Sequence, residues 1–292
     1  MRRNIVDNGC PIGIAVLLAM LSLWSCSGSD HSAERVVKEW LGKEIVFPDS
    51  MVFTVQGDTV DYNWQDAEYK IVTFVDSAGC TECRLKLPMW LHTYEMMQAD
   101  TDIALIMVIS TTDTESITDI LSRYDYPLPV YIDTTGLMES LNPNLTASDG
   151  MRTFLLDTDN KVVTTGNPID NRATLNRYSS TIRGDYAIDE HADPKITSPM
   201  NIANLGVVKQ PKSTQFLVHN PTDSTAVISK ILVSCDCVRT ELESDTIPPH
   251  GAKMLTVTQM PDSVKGEFIR EVILVTAEPE ESLTFTLRGF MP

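Results

Sequence analysis

Two apolar runs, YKIVTFV at 69–75 and IALIMVIS at 103–110, decide most of what this chain can fold into. Neither alternates polar with apolar, so each reads as a strand buried on both faces. Strands of that kind belong to a largely parallel sheet covered by helices. The intervening sequence fits. A helix is expected from near Cys80 to about Gln98, and TESITDILSRY at 114–124 has an amphipathic period. LPVYID at 128–133 is strand-like, and RTFLLD and KVVTTG flank TDN at 158–160, a hairpin signal. NRATLNRYSSTI at 171–182 closes the region with a helix. Upstream, SAERVVKEWLGKEI suggests a helix capped by Ser32, and the runs broken by Pro48 and Gly57 suggest short strands. Strands alternating with helices, then a hairpin and a last helix, imply an α/β sandwich around a mixed sheet.

The texture changes after Ile182. RGDYAIDEHADPKITSP is polar and irregular, and from about Asn201 only short strands with turn signals follow. That pattern implies an all-β sandwich of immunoglobulin-like type. The expected layout is a leader at 1–25, a tether with a helix and strands at 26–59, the α/β unit at 60–185, a linker at 186–199 and the β-sandwich at 200–292.

Arg2 and Arg3 precede the apolar run IGIAVLLAMLSLW, too short for a membrane span and suited to a signal peptide. The run ends in LWSC followed by SGSD, which resembles a bacterial lipobox with Cys26 as the lipid-carrying residue. The implied location is the cell envelope, lipid-anchored, with the periplasm preferred over the outer surface. The formal net charge of −17 repels phosphate backbones and argues against nucleic-acid partners.

In an oxidising envelope, cysteines pair, bind metal or stay buried. Cys10 falls in the leader and Cys26 is assigned, which leaves Cys80 and Cys83, and Cys235 and Cys237. The Cys80-Thr81-Glu82-Cys83 stretch ends the first buried strand and starts a helix, with Pro88 five residues on. One helical turn puts both sulfurs on the same face, and unpaired N–H groups at a helix start favour a thiolate. With RTFLLDTDNKVV at 152–163, this resembles the thioredoxin family over about 60–185. The resemblance implies a thioredoxin-like α/β sandwich, Cys80 as nucleophile, Cys83 as resolving thiol, and no separate cofactor. Three positions depart from the family. Gly79 stands where Trp is usual, Phe74 where a buried acid is common, and Met151 where a cis-proline is usual. A trans loop is expected at Met151, because a cis bond without proline costs about 3 kcal/mol.

ILVSCDCVRTELESDTIPPHGAKMLTVT at 231–258 resembles a bacterial immunoglobulin-like domain of unknown function with an SCxC signature, common in envelope lipoproteins. Cys235 and Cys237 are expected on a strand, their Cα atoms about 6–7 Å apart, at the upper limit for a disulfide. A bond between them would need a bulge or turn at Asp236. Two buried thiols is the favoured reading; the sharper one is a second redox pair serviced by the first domain. A four-cysteine zinc site is disfavoured, since it would have to bridge both domains and Cys-x-Cys is a poor zinc spacing. His92 is expected at the surface.

The preferred function is thiol–disulfide exchange on envelope proteins that carry thiols or disulfides. The alternative is a non-catalytic binding or assembly lipoprotein that uses the thioredoxin fold as scaffold.

Overall fold

The computed structural model describes residues 40–76, 81–98, 101–143, 152–170, 172–183, 194–262, 265–278 and 280–292. The leader, Cys26, the helix expected after Ser32, Cys80, Gly79 and Met151 lie outside the described residues.

The two apolar runs form β3 (Tyr69–Asp76) and β4 (Ile103–Ser110), parallel and in register along their full length. β5 (Val130–Asp133) continues the parallel set beside β4. On the other side of β3 lies the antiparallel hairpin of β6 (Thr153–Leu156) and β7 (Val162–Thr165). Asp157 shapes its turn, its carboxylate accepting the N–H groups of Asp159 and Lys161, while Asn160 takes the left-handed conformation at φ 60°. β1 (Phe53–Val55) and β2 (Asp58–Val60) form a further hairpin that joins the sheet through β5. The order is β2-β1-β5-β4-β3-β6-β7, a mixed seven-stranded sheet. This is the expected thioredoxin-like α/β sandwich.

The helix expected from Cys80 to Gln98 is two helices, α1 (Thr81–Leu85) and α2 (Leu87–Gln98). Pro88 is the cause. In a continuous helix its ring would clash with the carbonyl four residues back, but in the first turn of a new helix it is tolerated. Lys86 makes the break at φ 46°, and its carbonyl accepts the N–H groups of Met89 and Trp90.

α3 (Thr114–Arg123) buries Ile117, Ile120 and Leu121 at helical spacing, and the Asp113 carboxylate accepts the Ser116 N–H at its start. Its last turn closes through Tyr126, whose N–H reaches the Leu121 carbonyl, with Asp125 left-handed at φ 46°. α4 (Leu137–Leu141) and α5 (Arg172–Arg183) complete the α/β part.

The C-terminal part is an all-β sandwich. One sheet has the order β12-β10-β14-β15-β8 and the other β11-β13-β9. The strands that matter for the site are β10 (Ala226–Val233), β11 (Val238–Leu242), β13 (Ala252–Gln259) and β14 (Gly266–Thr276). The others are β8 (Ile202–Val207), β9 (Lys212–His219), β12 (Thr246–Ile247) and β15 (Ser282–Met291). In the IPPHG turn, a Cβ on Gly251 would meet the Pro248 ring at 2.7 Å, so only glycine fits.

Leu41–Pro292 is one compact unit. β14 explains why. Val272 and Leu274 point into the sandwich core, whereas Ile273 and Val275 join the core that holds Trp90, Met97 and Leu105. Cys83 makes the reverse crossing and lies in the sandwich cluster. The outer face of the five-stranded sheet is therefore partly an interior surface.

We expect Ile273→Ala to cost about 2–5 kcal/mol, in the range for emptying a buried aliphatic site. Hydrogen exchange should show protection lost in α2 as well as in β14. A loss confined to β14 would mean that the shared core carries no stability.

Candidate functional site

The second cysteine motif is not on a strand. Ser234 to Cys237 form the turn by which the chain leaves β10 in one sheet and enters β11 in the other. The turn brings the Cα atoms of Cys235 and Cys237 to 5.2 Å, and the two are joined as a disulfide. The favoured expectation of two free thiols is thereby corrected: the turn at Asp236 removes the separation that an extended strand would impose. Hydrogen bonds fix it on every side. The Ser234 N–H donates to the Glu271 carbonyl at 3.0 Å, and the Glu271 N–H returns to the Ser234 hydroxyl at 3.1 Å. The Cys237 carbonyl accepts from Met260 at 2.8 Å.

Cys83 lies opposite, on α1, and is also disulfide-bonded. The sulfurs of Cys83, Cys235 and Cys237 all lie within 4.8 Å of one another. Their residues are 7 %, 1 % and 9 % exposed. Sequence reasoning disfavoured a four-cysteine zinc site, in part because it would have to bridge two domains; three of those four sulfurs do meet across the domains, as disulfide sulfurs. Reduced, three thiolates at this spacing are soft-metal donors; oxidised, Cys235 and Cys237 offer none.

Glu82, within the first motif, recognises the turn of the second. One Glu82 oxygen accepts the Tyr124 hydroxyl at 2.8 Å and the Asp236 N–H at 3.2 Å. Arg123 bridges the other Glu82 oxygen at 2.8 Å and the Asp236 carboxylate at 2.7 Å. The C-terminus of α3 thus delivers two side chains to the seam. Burial pushes the Glu82 carboxyl up, but the Tyr124 hydroxyl, the Asp236 N–H and Arg123 together hold it below its ordinary value. Burial and the Glu82 charge raise Asp236.

Two more links close the seam. Lys86 bridges Asp170 and Glu271; burial lowers its ammonium's pKa, but those two carboxylates outweigh burial and raise it. His92 is buried rather than at the surface, its Nδ1 3.3 Å from the Lys230 ammonium and its Nε2 3.4 Å from the Glu280 carboxylate. Burial, then Lys230, pushes its pKa down. It was misplaced because α2 packs against β10, a partner not visible in the helix's own sequence.

Arg270 was missed altogether. It lies on β14, is 2 % exposed, and donates from Nε to the Cys237 sulfur at 3.2 Å. Asp262 accepts from its other end at 2.8 Å, and the Phe268 ring lies 5.0 Å from the guanidinium carbon. A signal existed. In EFIREV, Phe268, Arg270 and Val272 share one face of the strand, so alternation places a cation in the core.

Of the positions where the thioredoxin resemblance departs, Phe74 is half-buried, its ring 6.4 Å from that of Phe154. It presents an apolar surface where the family often has an acid. Thr153 and Thr73 share a buried hydroxyl hydrogen bond of 2.9 Å across β6 and β3.

Residues 198–291 match the family model described as Protein of unknown function (DUF1573). That match covers the β-sandwich alone. No curated protein matches. Among solved structures, a thiol:disulfide interchange protein from Bacteroides sp. is 19 % identical, with 52 % of this chain and 97 % of that one covered and a TM-score of 0.39. The ASH/PapD-like domain of human CEP192 is 14 % identical over 37 % of this chain and 95 % of that one, TM-score 0.28. The chain spans 51 % of a protein of unknown function from Porphyromonas gingivalis W83, matched over 35 % of this chain at 8 % identity, TM-score 0.30.

Because Glu82 has a folded-state pKa below its unfolded value, its stabilisation is fully present above the ordinary carboxylate pKa of about 4.3. It is lost as pH falls through the lower folded value. We expect Glu82→Gln to cost about 1–2 kcal/mol at pH 7 and almost nothing in strong acid. Urea denaturation across that pH range measures it; an equal cost at every pH would show that the charge is irrelevant.

Proposed function

We propose that this protein is a lipid-anchored envelope protein that exchanges thiols and disulfides with partner proteins through Cys80 and Cys83. The observation that carries the reading is Cys83 itself: a disulfide-bonded cysteine on the helix that follows the central strand β3, its sulfur within 4.8 Å of a second disulfide. In the exchange, Cys80 attacks a partner disulfide, a mixed disulfide forms, and Cys83 resolves it. Anchoring is through Cys26. The partners are envelope proteins with thiols or disulfides, and nucleic acid is not among them.

One observation favours the non-catalytic alternative. Glu82, between the two cysteines of the motif, is engaged by Tyr124, Asp236 and Arg123, so the sandwich occupies part of the surface around the motif. A static staple in a binding lipoprotein would tolerate that cover.

The two readings part on trapping. Cys83→Ala should leave partner proteins attached to Cys80 as mixed disulfides on non-reducing gels, and adding Cys80→Ala should abolish them. The Cys80–Cys83 potential should lie between about −270 and −120 mV. A value below about −300 mV with no adducts would favour the staple. Separately, Cys26→Ser should move the protein from the membrane to the soluble envelope fraction; soluble wild type would refute the anchor.

A further inference from the structure

We infer that the Cys235–Cys237 disulfide is the internal electron acceptor of Cys83, and that Arg270 is the catalytic residue that holds the departing Cys237 thiolate. The inference rests on the exchange reading above, and names a substrate for it within the same chain.

Three observations carry it. The sulfur of Cys83 lies within 4.8 Å of both sulfurs of the second pair. Side chains of both domains bury all three, with Cys235 only 1 % exposed, so an external protein has poor access to that disulfide. The Arg270 Nε–H points at Cys237, and Arg270 is itself buried and oriented by Asp262 and Phe268. A neutral disulfide sulfur is a weak acceptor, whereas a thiolate is a strong one. A buried guanidinium aimed there is matched to a charge that appears only when the bond breaks.

The chemistry balances with one external reductant, a dithiol. It first reduces the disulfide that Cys83 carries, and becomes a disulfide itself. The Cys83 thiolate then attacks the Cys235 sulfur. A Cys83–Cys235 bond forms, the Cys235–Cys237 bond breaks, and the electron pair leaves on Cys237, where Arg270 donates to it. The Cys80 thiolate then attacks Cys83, re-forms the Cys80–Cys83 disulfide and releases Cys235. Cys235 and Cys237 take up protons, and two electrons have moved from the dithiol to the sandwich. The assignment of Cys237 as the leaving sulfur follows from Arg270: attack on Cys237 would expel Cys235, away from the cation that Cys237 holds.

The experiment uses the full chain, oxidised, with dithiothreitol as the dithiol, acid quenching, alkylation and peptide mass spectrometry. In wild type, Cys235 and Cys237 should become alkylatable. In Cys83→Ala, folded by circular dichroism, their reduction should slow at least about tenfold; an unchanged rate overturns the inference. Cys80→Ala, which leaves Cys83 a free thiol beside the intact second disulfide, should without dithiothreitol hold a Cys83–Cys235 linked peptide with Cys237 alkylatable, and its absence also overturns it. Arg270→Gln should slow the transfer about tenfold or more, the scale of one lost hydrogen bond to a charge. Should that variant unfold, Arg270→Lys, which keeps the charge, replaces it and should retain most of the rate and shift the pH profile. Failure of the exchange reading is distinguishable. Partner adducts on Cys80 with no internal transfer leave that reading standing and remove this one. Internal transfer without partner adducts does the reverse.

Discussion

The carboxylate of Glu82 is the contact on which the arrangement of the two domains turns. It sits between the cysteines of one motif and accepts the backbone N–H of the residue between the cysteines of the other. Arg123 then ties Glu82 to Asp236, the one exposed residue of the second motif. Exposed ion pairs contribute little on their own, and Arg123 and Asp236 are both exposed. Glu82 differs, because its side chain is only 15 % exposed and its carboxylate gathers three donors, from Arg123, Tyr124 and the Asp236 N–H. The contact therefore sets register more than it adds attraction. It fixes which turn of the sandwich faces which turn of the helix, and so which sulfurs meet.

Behind that contact lies a hydrophobic surface that neither domain could leave in water. The residues 272–276 of β14 are buried without alternation, which in a two-sheet sandwich means that something covers the outer face. α2 supplies the cover against β10 and the shared core supplies it against β14. Burial by apolar neighbours and orientation by charged ones divide the work: the first holds the domains together, the second aligns the thiols. Lys86 belongs to both. It is the left-handed residue that Pro88 forces between α1 and α2, and the break places its ammonium between Asp170 of one domain and Glu271 of the other.

Much of the fold was legible because its causes are local. The runs at 69–75 and 103–110 had to be central strands, the TDN turn had to close a hairpin, and the composition change after Ile182 had to mark a new architecture. What was misread depended on neighbours distant in sequence. A strand through Cys235 and Cys237 is a sound local expectation, yet the chain must change sheets there, and the sheet change is a tertiary fact. His92 read as surface for the same reason. Distance between motifs in sequence was also a poor guide to distance in space: separation by a linker was counted against a four-cysteine zinc site, while the described linker residues 194–199 give no such separation, since Thr197 already pairs with His219 of the sandwich.

Arg270 shows where close reading of a strand would have gone further. A cation on the inward face of a sandwich strand is costly unless something there needs it. Asp262 answers part of that need, and a neutral core with a matched carboxylate would be an ordinary, if expensive, structural pair. The Nε contact to Cys237 is what an ordinary pair does not require. Stability alone would be served by replacing Arg270 and Asp262 with apolar residues of similar volume. A guanidinium retained at a disulfide makes physical sense when the sulfur it touches carries negative charge for part of its working cycle, and that condition is met only if the disulfide opens.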